Sequence, residues 1–467
     1  MTTESYSAAR LGRVAKAAAV PRALLALYPF LVAGLSALVL AALAVYRHDR
    51  YGSGGFDLGI FDQTIWGYSR FEILHNTVKR IPNLLGDHFH PILVVLAPGY
   101  WVWDDARVLL VEQALLIAAA SLPVFYWARE RLGWQEGAVV QLAFLVFFGT
   151  IGAALFDFHE VAVAAPALAF ALWGLLTRRD WLTVSAASVA LLAKEDVALT
   201  VAAIGLYAAV VQRRMVFGGL IAIVSAAWFV AVVKLVIPAL SGRAYAYLPS
   251  SRGDRSPVAI LAHPYRGITL FVDRRVKIRA LVETAGAWLA LPLVSPIALI
   301  AVPMLITRFW SAGAGRWTTG FHYSLLLAPI LAFASVDTLA RLRARWPAAV
   351  RPAALALLAA SAAVSTLIVR PLRALDGLRS GTEAARASAC LRTVSPAASV
   401  AASNTLIAHL THRAEAYPLF ARHGQAFLAV DTRTRVGRRA VGRIRRDRVY
   451  TYSLSCSNGG VAVFRRD

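Results

Sequence analysis

The sequence predicts an all-α polytopic membrane protein with a small α/β domain at its carboxyl end. Of its 467 residues, 58% are hydrophobic and only 16% are charged, and a soluble domain of this size could not cover so much apolar surface. Apolar segments long enough to cross about 30 Å of hydrocarbon recur as far as residue 369. Residues 370–467 instead alternate short apolar runs with polar turns, which is typical of a small mixed domain.

The apolar segments predict about eleven transmembrane helices, each near the length needed to span a bilayer. The first follows a polar stretch with several basic residues and is too long for the apolar core of a signal peptide, so we expect it to stay uncleaved. The predicted spans are 23–46, 106–128, 137–156, 161–177, 181–196, 197–212, 216–238, 278–293, 295–310, 322–340 and 350–369.

Arginine in the short loops predicts the orientation of the chain. Arginine-containing loops alternate with loops poor in Arg and Lys, and basic loops stay in the cytoplasm. We therefore expect a cytoplasmic segment 1–22, a membrane domain 23–369 with outer loops 47–105 and 239–277, and an extracytoplasmic domain 370–467. The arginines that set this orientation are Arg129, Arg131, Arg178, Arg179, Arg213, Arg214, Arg341, Arg343 and Arg345.

The net charge of +23 would suggest nucleic acid in a soluble protein, but no nucleic-acid motif accompanies it. Part of the charge lies at the cytoplasmic loop ends. Much of the rest lies in the tail between Arg438 and Arg448, where a solvated basic face near anionic headgroups is favoured over a specific anion site. We expect no nucleic-acid partner.

The tail is predicted to hold a helix over 377–393, strands over 398–402 and 426–431, and apolar segments near 449–454 and 461–464. Its cysteines, Cys390 and Cys456, are the only two in the chain. We expect them to lie close together, and an extracytoplasmic location permits a disulfide.

Several polar motifs are predicted to converge on the outer face of the membrane domain. The span beginning at Trp181 has about thirteen apolar residues before Lys194, roughly 20 Å of helix, so the KED triplet should lie below the outer surface. Charges at that depth face the protein interior or water, which predicts a water-filled cavity. The motifs are FDLGIFDQ at 56–63, GDHFHP at 86–91, FDFHE at 156–160, KED at 194–196 and RWTTGFHY at 316–323.

These motifs resemble the bacterial membrane family named domain of unknown function 2079. The resemblance rests on FDLGIFDQ, NLLGDHFHPILVVLAP, FDFHE, LLAKEDVAL, FHYSLLLAPI and ASNTLIAHLTHR, and it extends from about Tyr51 to Asp431. It implies a place within the GT-C glycosyltransferase-like superfamily: multi-span enzymes that carry an acidic residue in the first outer loop and use a polyprenyl-phosphate-linked sugar donor. A fold-level resemblance transfers function only by analogy.

Sugar transfer from a lipid-linked donor needs a base that activates the acceptor hydroxyl and cations that neutralise the departing phosphate. Asp57, in the predicted first outer loop, is the predicted base. Asp62 could be the base instead, or it could bind a metal together with Asp57. The alternative is that one of the two caps a short helix. Lys194, Arg316 and His322 are predicted to hold phosphate, although Lys194 could instead pair with Glu195, Asp196 or Asp157. The full predicted substrate-binding set is Gln63, Glu160, Lys194, Glu195, Asp196, Arg316, His322 and Tyr323.

Asp87, His88, His90 and His159 form a minority prediction of a divalent metal site, for Mg or Mn. Structural histidines at a membrane interface are the more common explanation for such residues. Metal is therefore an optional cofactor in this interpretation, and no other cofactor is expected.

The sequence leaves three function classes open. The first is a GT-C-like glycosyltransferase in the bacterial cytoplasmic membrane, whose partners would be the bilayer, a polyprenyl-phosphate sugar donor and a cell-envelope acceptor. The second is a secondary transporter or lipid carrier, which should show inverted halves with paired broken helices. The third is a non-catalytic membrane protein that binds sugar or assists assembly.

Overall fold

The protein is described here from a computed structural model that covers residues 22–247, 257–369, 375–421 and 424–467. The predicted cytoplasmic segment lies outside the described residues except for Arg22, and the predicted outer loop 239–277 lies partly outside them.

The described residues up to 369 are mostly helical, as the apolar segments predict. Short 3₁₀ and π turns join several of the helices. The α-helices are α1 Arg22–Asp49, α2 Ile60–Ser69, α3 Gly99–Val102, α4 Arg107–Ala119, α5 Ser121–Leu132, α6 Trp134–Val146, α7 Phe148–Leu155, α8 Val161–Leu176, α9 Asp180–Ala193, α10 Val197–Val210, α11 Met215–Ala231, α12 Ile237–Ser241, α13 Pro257–Ala262, α14 Pro264–Thr269, α15 Arg275–Ala287, α16 Val302–Phe309, α17 Leu327–Arg345 and α18 Pro347–Ile368.

The predicted number of spans is not confirmed. Within the described residues, four helical stretches are long and apolar enough to cross a membrane, or five if α6 and α7, which meet at 44°, form one broken span. The helices α8, α9 and α10 are apolar but have only 16, 14 and 14 residues, so each is shorter than the ~30 Å needed for a full crossing at about 1.5 Å per residue. Hydropathy located the helices, but it did not give their lengths.

The helices pack closely where glycine allows it. A Cβ on Gly205 of α10 would lie 2.6 Å from the carbonyl oxygen of Gly218 in α11, so these two helices approach at backbone contact. One bent pair, α6 and α7, is found among the described helices, whereas a transporter of the inverted-repeat type should have two corresponding breaks.

The tail is a small α/β domain, as predicted. Its five-stranded sheet has the order β2-β1-β3-β5-β4; β1 is parallel to β2 and β3, and β5 is antiparallel to β3 and β4. The sequence did not reveal the short β2 or the arginine-rich helix α21. The tail elements are α19 Gly381–Leu391, β1 Val400–Ala402, α20 Asn404–Ile407, β2 Ala416–Pro418, β3 Phe427–Asp431, α21 Arg435–Ile444, β4 Tyr452–Asn458 and β5 Val461–Arg466.

The tail packs directly on the loop 47–105, which connects α1 to α4. The Tyr51 and Ser388 hydroxyls are 2.8 Å apart, and the Thr77 hydroxyl donates to the carbonyl oxygen of Ala416 at 2.8 Å. The backbone N–H of Ala416 donates back to the same Thr77 hydroxyl at 2.9 Å. The tail therefore helps to fix the shape of the loop.

Cys390 and Cys456 form a disulfide, with their Cα atoms 5.6 Å apart. The prediction that the two cysteines lie close together is confirmed. The bridge joins α19 to β4, an edge strand of the sheet, and so ties the helix to the end of the chain.

Removal of this bridge is expected to destabilise the tail. The bridge closes a loop over a sequence separation of 66 residues, and disulfides of that kind stabilise small domains by about 2–5 kcal/mol. The double variant Cys390→Ala with Cys456→Ala should therefore melt at a lower temperature in non-reducing detergent. Reductant should lower the melting temperature of the wild type to the same value and leave the variant unchanged; a wild type insensitive to reductant would contradict the prediction.

Candidate functional site

The segment Gly54–Asp57, in the loop between α1 and α2, is held in place from two sides. The Asp157 carboxylate accepts from the Gly54 N–H at 2.9 Å and forms a 2.7 Å ion pair with Arg47 at the end of α1. On the other side, the Phe56 N–H donates to the Asn404 side chain of the tail at 3.1 Å. The FDFHE motif and the tail thus position the start of FDLGIFDQ together.

Glycine is required at position 55 because the loop meets the tail there. A Cβ at Gly55 would lie 2.1 Å from a methyl carbon of Ile407, so any other residue would push α20 of the tail away from the loop. The glycine lets the outer loop and the tail meet next to Asp57.

Asp57 has an uncommon backbone conformation, with φ 88° and ψ −88°. Non-glycine residues at such angles are strained and are concentrated at functional sites. In the described part of the chain, no hydrogen bond or ion pair engages its carboxylate. Burial raises the pKa of Asp57 above 3.8, although His159 and Lys79 oppose that rise. Asp57 is thus a half-buried carboxylate that is free to accept a proton.

Asp57 lines a cavity of about 160 Å³ at the centre of the polar motifs. The structure brings together most of the predicted site residues here, from several separate motifs. The lining residues are Asp57, Ile60, Phe61, Lys79, Leu84, Asp87, His88, His90, His159, Lys194, Arg316, His322, Tyr247 and Tyr323.

A buried ion-pair cluster supports one wall of this cavity. Glu160 has no solvent-exposed surface; its two oxygens lie 2.8 Å from the Lys194 ammonium and 2.7 Å from His159 Nδ1. The His159 ring stacks on the His322 ring, with centroids 3.4 Å apart. Lys194 therefore pairs with Glu160 rather than with Glu195, Asp196 or Asp157, the partners that the sequence suggested.

Glu195 and Asp196 of the KED triplet face different parts of the site. Glu195 accepts from the Tyr245 hydroxyl at 2.5 Å and from the Phe89 N–H at 2.9 Å, and it lies 2.6 Å from His88 Nδ1. Asp196 lines a smaller cavity that shares Lys194 and His322 with the central one. Glu195 thus holds the GDHFHP turn and Tyr245, while Asp196 faces the neighbouring space.

The predicted metal ligands do not form one donor set. Asp87 pairs with Lys79 at 3.2 Å and accepts from the Tyr247 hydroxyl at 2.9 Å, whereas His88 and His159 contact different glutamates. No group of three His, Cys, Asp or Glu side chains able to hold a metal is found in the described ranges. These residues, as arranged, do not fit a single ion.

Asp62 and Gln63 do not reach the cavity. Asp62 has no exposed surface and accepts hydrogen bonds from the hydroxyls of Tyr100, at 2.6 Å, and Thr411. It also lies 3.2 Å from His412 Nε2. The structure therefore places Asp62 under the tail, with its oxygens bound to protein, and not beside Asp57.

Gln63 likewise connects the loop to the tail. Its amide nitrogen donates to the Thr77 hydroxyl at 2.8 Å and to the Arg413 carbonyl at 3.1 Å, and its oxygen accepts from the Thr77 N–H at 2.9 Å. Gln63 is buried. These bonds explain a polar residue at this position without a substrate.

Arg308 and Tyr247 belong to the site but were not predicted. The buried guanidinium of Arg308 donates to the carbonyls of Arg316, at 2.8 Å, and Thr318, at 2.6 Å. The Arg316 guanidinium lies over the Tyr247 ring, 5.1 Å from its centroid. The repeated tyrosines in AYAYLP were a visible signal for Tyr245 and Tyr247, because they follow a span directly on the predicted outer side.

The chain is similar to a membrane protein family in sequence and to a protein of known structure in fold. The sequence model of the family described as "Predicted membrane protein (DUF2079)" matches residues 47–433, and no curated protein matches the chain in sequence. The fold is similar to that of ArnT from Cupriavidus metallidurans bound to undecaprenyl phosphate, with a TM-score of 0.56 and 14% identity over 94% of this chain and 98% of that chain. The apo state of the same protein gives 0.53 and 13% over 91% and 97%.

Proposed function

This chain belongs to the membrane protein family DUF2079, and from that premise we propose that it transfers a sugar from a polyprenyl-phosphate-linked donor to a cell-envelope acceptor. The motifs indicated a GT-C-like protein, and the ArnT fold supports that superfamily. The observation that carries the proposal is one cavity that holds an unpaired carboxylate, Asp57, together with the cations Lys194 and Arg316. In this fold, ArnT binds undecaprenyl phosphate.

The donor phosphate is proposed to bind where the central cavity meets its smaller neighbour. Lys194 and Arg316 line both spaces, and Arg308 lines the smaller one, beside the apolar side chains of Met304 and Leu326. Apolar surface suits a polyprenyl chain, and the cations suit its phosphate. Arg308 has no carboxylate partner among the described residues, so its charge is available to neutralise an anion.

The transfer is a single displacement at the anomeric carbon. The acceptor hydroxyl oxygen forms a bond to that carbon while the bond from the carbon to the phosphate oxygen breaks. Asp57 takes the hydroxyl proton, and the leaving group departs as polyprenyl phosphate with both electrons of the broken bond. Lys194, Arg308 and Arg316 stabilise the charge that grows on the phosphate as it leaves.

Transfer itself can be measured with purified protein in liposomes. A panel of synthetic undecaprenyl-phosphate-linked hexoses, pentoses and N-acetylhexosamines is supplied with cell-envelope membranes as acceptor, and sugar incorporation and undecaprenyl phosphate release are followed. We expect at least one donor to give both products in equal amounts. Lipid movement across the bilayer without release from any donor would favour the carrier alternative.

Arg316→Gln is expected to weaken donor binding by about tenfold or more, because one charge-assisted contact to phosphate is lost. The measurement is the Kd of undecaprenyl phosphate for the purified variant. Arg275→Gln removes an equal charge from an exposed position at the start of α15 and should leave the Kd unchanged. Equal weakening in both variants would show that only overall charge matters.

The bilayer orientation is proposed from the arginine loops and is supported by the tail disulfide, which oxidising compartments favour. We place the cavity and the tail outside the cytoplasmic membrane and the amino terminus inside. A phosphatase reporter fused after Asp467 should be active, and a reporter that works only in the cytoplasm should be silent. The opposite pattern would place the cavity on the cytoplasmic side, where it could not reach an extracytoplasmic acceptor.

A further inference from the structure

A second, larger groove lies next to the central cavity and reaches the tail. A groove of about 490 Å³ shares Lys79, Asp87 and Tyr247 with the central cavity. At its other end it shares Phe56 and Phe420 with a cavity of about 420 Å³ at the edge of the tail sheet. The groove therefore lies between the cavity that holds Asp57 and the tail, and it shares no lining residue with the space beside Met304 and Leu326.

The groove exposes aromatic rings. Phe56 is 44% exposed and Phe420 is 72% exposed; their rings are nearly parallel, at 8°, with centroids 6.3 Å apart. The rings of Tyr245 and Tyr247 lie on its other wall, 5.5 Å apart. The exposed Phe56 and Phe420 rings offer large, rigid apolar surfaces, which suit the C–H face of a sugar ring.

The groove is also positively charged. Lys79 is neutralised by Asp87 at 3.2 Å, but Arg80 and Arg243 line the groove with no carboxylate partner in the described part of the chain. Both arginines are exposed. Two free guanidinium groups beside aromatic faces favour a ligand that carries carboxylate or phosphate groups as well as sugar rings.

We propose that this groove, lined by Phe56, Arg80, Arg243, Tyr245, Tyr247 and Phe420, binds the acceptor and that the acceptor is an anionic glycan. The inference rests on the proposed sugar transfer, since the groove borders the cavity that holds Asp57, where an acceptor hydroxyl must arrive. Phe420 of the tail lines the groove, so the tail takes part in acceptor recognition. The donor and the acceptor thus approach Asp57 from different sides.

The test is direct binding of defined glycans to the full chain in detergent. The probes are fluorescein-labelled oligogalacturonate, which carries carboxylates, a labelled sugar-substituted glycerol-phosphate oligomer, which carries phosphates, and a neutral malto-oligomer of equal length. The double variant Arg80→Ala with Arg243→Ala is compared with Arg445→Ala with Arg446→Ala, which removes equal charge from exposed positions that line none of these spaces.

We expect at least one anionic probe to bind more tightly than the neutral one, and to lose about tenfold or more in affinity in the Arg80 and Arg243 variant. The control variant should bind as the wild type does. Equal affinity for neutral and anionic probes, or equal loss in both variants, would overturn the proposal. So would weakened binding to anionic lipid vesicles with glycan binding unchanged.

Undecaprenyl phosphate binding separates this inference from the proposed function. The Arg80 and Arg243 variant should keep the wild-type Kd for undecaprenyl phosphate, because the donor is assigned to a space that neither arginine lines. The wild type could fail to bind undecaprenyl phosphate and still bind anionic glycan through the two arginines. That result would contradict the proposed donor but support the groove as a glycan-binding site.

Discussion

Asp57→Asn is expected to lower sugar transfer by about two to four orders of magnitude, the usual cost of removing a general base. Asparagine keeps the shape of the side chain and cannot take the acceptor proton. In the cavity, the Asp57 carboxylate has no partner among the described residues, so the substitution breaks no structural contact there. The measurement is the initial rate of transfer from the donor that the wild type accepts.

The folding of this variant should be intact. Burial raises the pKa of Asp57 above its ordinary 3.8, so at neutral pH the ionised form disfavours the folded state, and that cost is absent below the pKa. Asp57→Asn should therefore melt at the wild-type temperature or slightly above it. Wild-type transfer should decline as the pH falls through the raised pKa of Asp57, because the base becomes protonated.

Asp62→Asn is the matched control, because it makes the same substitution at the other aspartate of the FDLGIFDQ motif. Asp62 is bonded to Tyr100, Thr411 and His412, so its loss should lower the melting temperature and weaken the contact between loop and tail. Residual transfer by the folded fraction should stay far above that of Asp57→Asn. If Asp57→Asn retained near-full transfer and Asp62→Asn abolished it, the role of base would move to Asp62.

Lys194→Met is expected to have the largest effect on stability. Glu160 is fully buried beside Lys194, 2.8 Å away, and removal of one partner from a buried pair leaves an uncompensated charge, at a cost of about 3–5 kcal/mol. The measurement is chemical unfolding in detergent. Arg279→Met breaks a surface pair with Glu283, in which Arg279 is 74% exposed, and should cost less than about 1 kcal/mol.

The double variant Lys194→Met with Glu160→Gln distinguishes a structural role of Lys194 from a role in phosphate binding. It removes both buried charges, so it should recover most of the lost stability. Undecaprenyl phosphate binding should stay weak, because the phosphate has lost a cation. Recovery of both stability and binding would show that Lys194 serves only as the partner of Glu160.

Much of the membrane domain could be predicted because hydropathy is a local property. Helices occupy the predicted segments, for example Val161–Leu176 for 161–177. Span number could not be predicted in the same way, because it depends on where each helix ends. The span predicted over 181–196 ends as a helix at Ala193, and Lys194 is already extended, which leaves a stretch too short to cross the bilayer alone.

The convergence of the polar motifs could also be predicted, because charges near lipid must face a shared interior. Asp57, His159, Lys194 and His322 do line one cavity. The pairing of Lys194 with Glu160 could not be predicted, since it depends on how α8 and α9 are rotated against each other. Periodicity gives the faces of a helix but not its contacts.

The distinction between Asp57 and Asp62 was beyond sequence reasoning. The two carboxylates lie in one motif, and Asp57 precedes α2 in a strained turn while Asp62 lies in its first turn. The partners that bury Asp62, Thr411 and His412, lie 349 and 350 residues further along the chain. Contacts over such separations come from the docking of the tail, which no local pattern encodes.

The position of the donor phosphate tests the central claim most directly. A cryo-electron microscopy structure of the full chain with undecaprenyl phosphate should show phosphate density among Lys194, Arg308 and Arg316, with the lipid beside Met304 and Leu326 and with Asp57 facing the phosphate across the cavity. Phosphate density elsewhere, or an ordered lipid remote from Asp57 at saturating concentration, would contradict sugar transfer at this site.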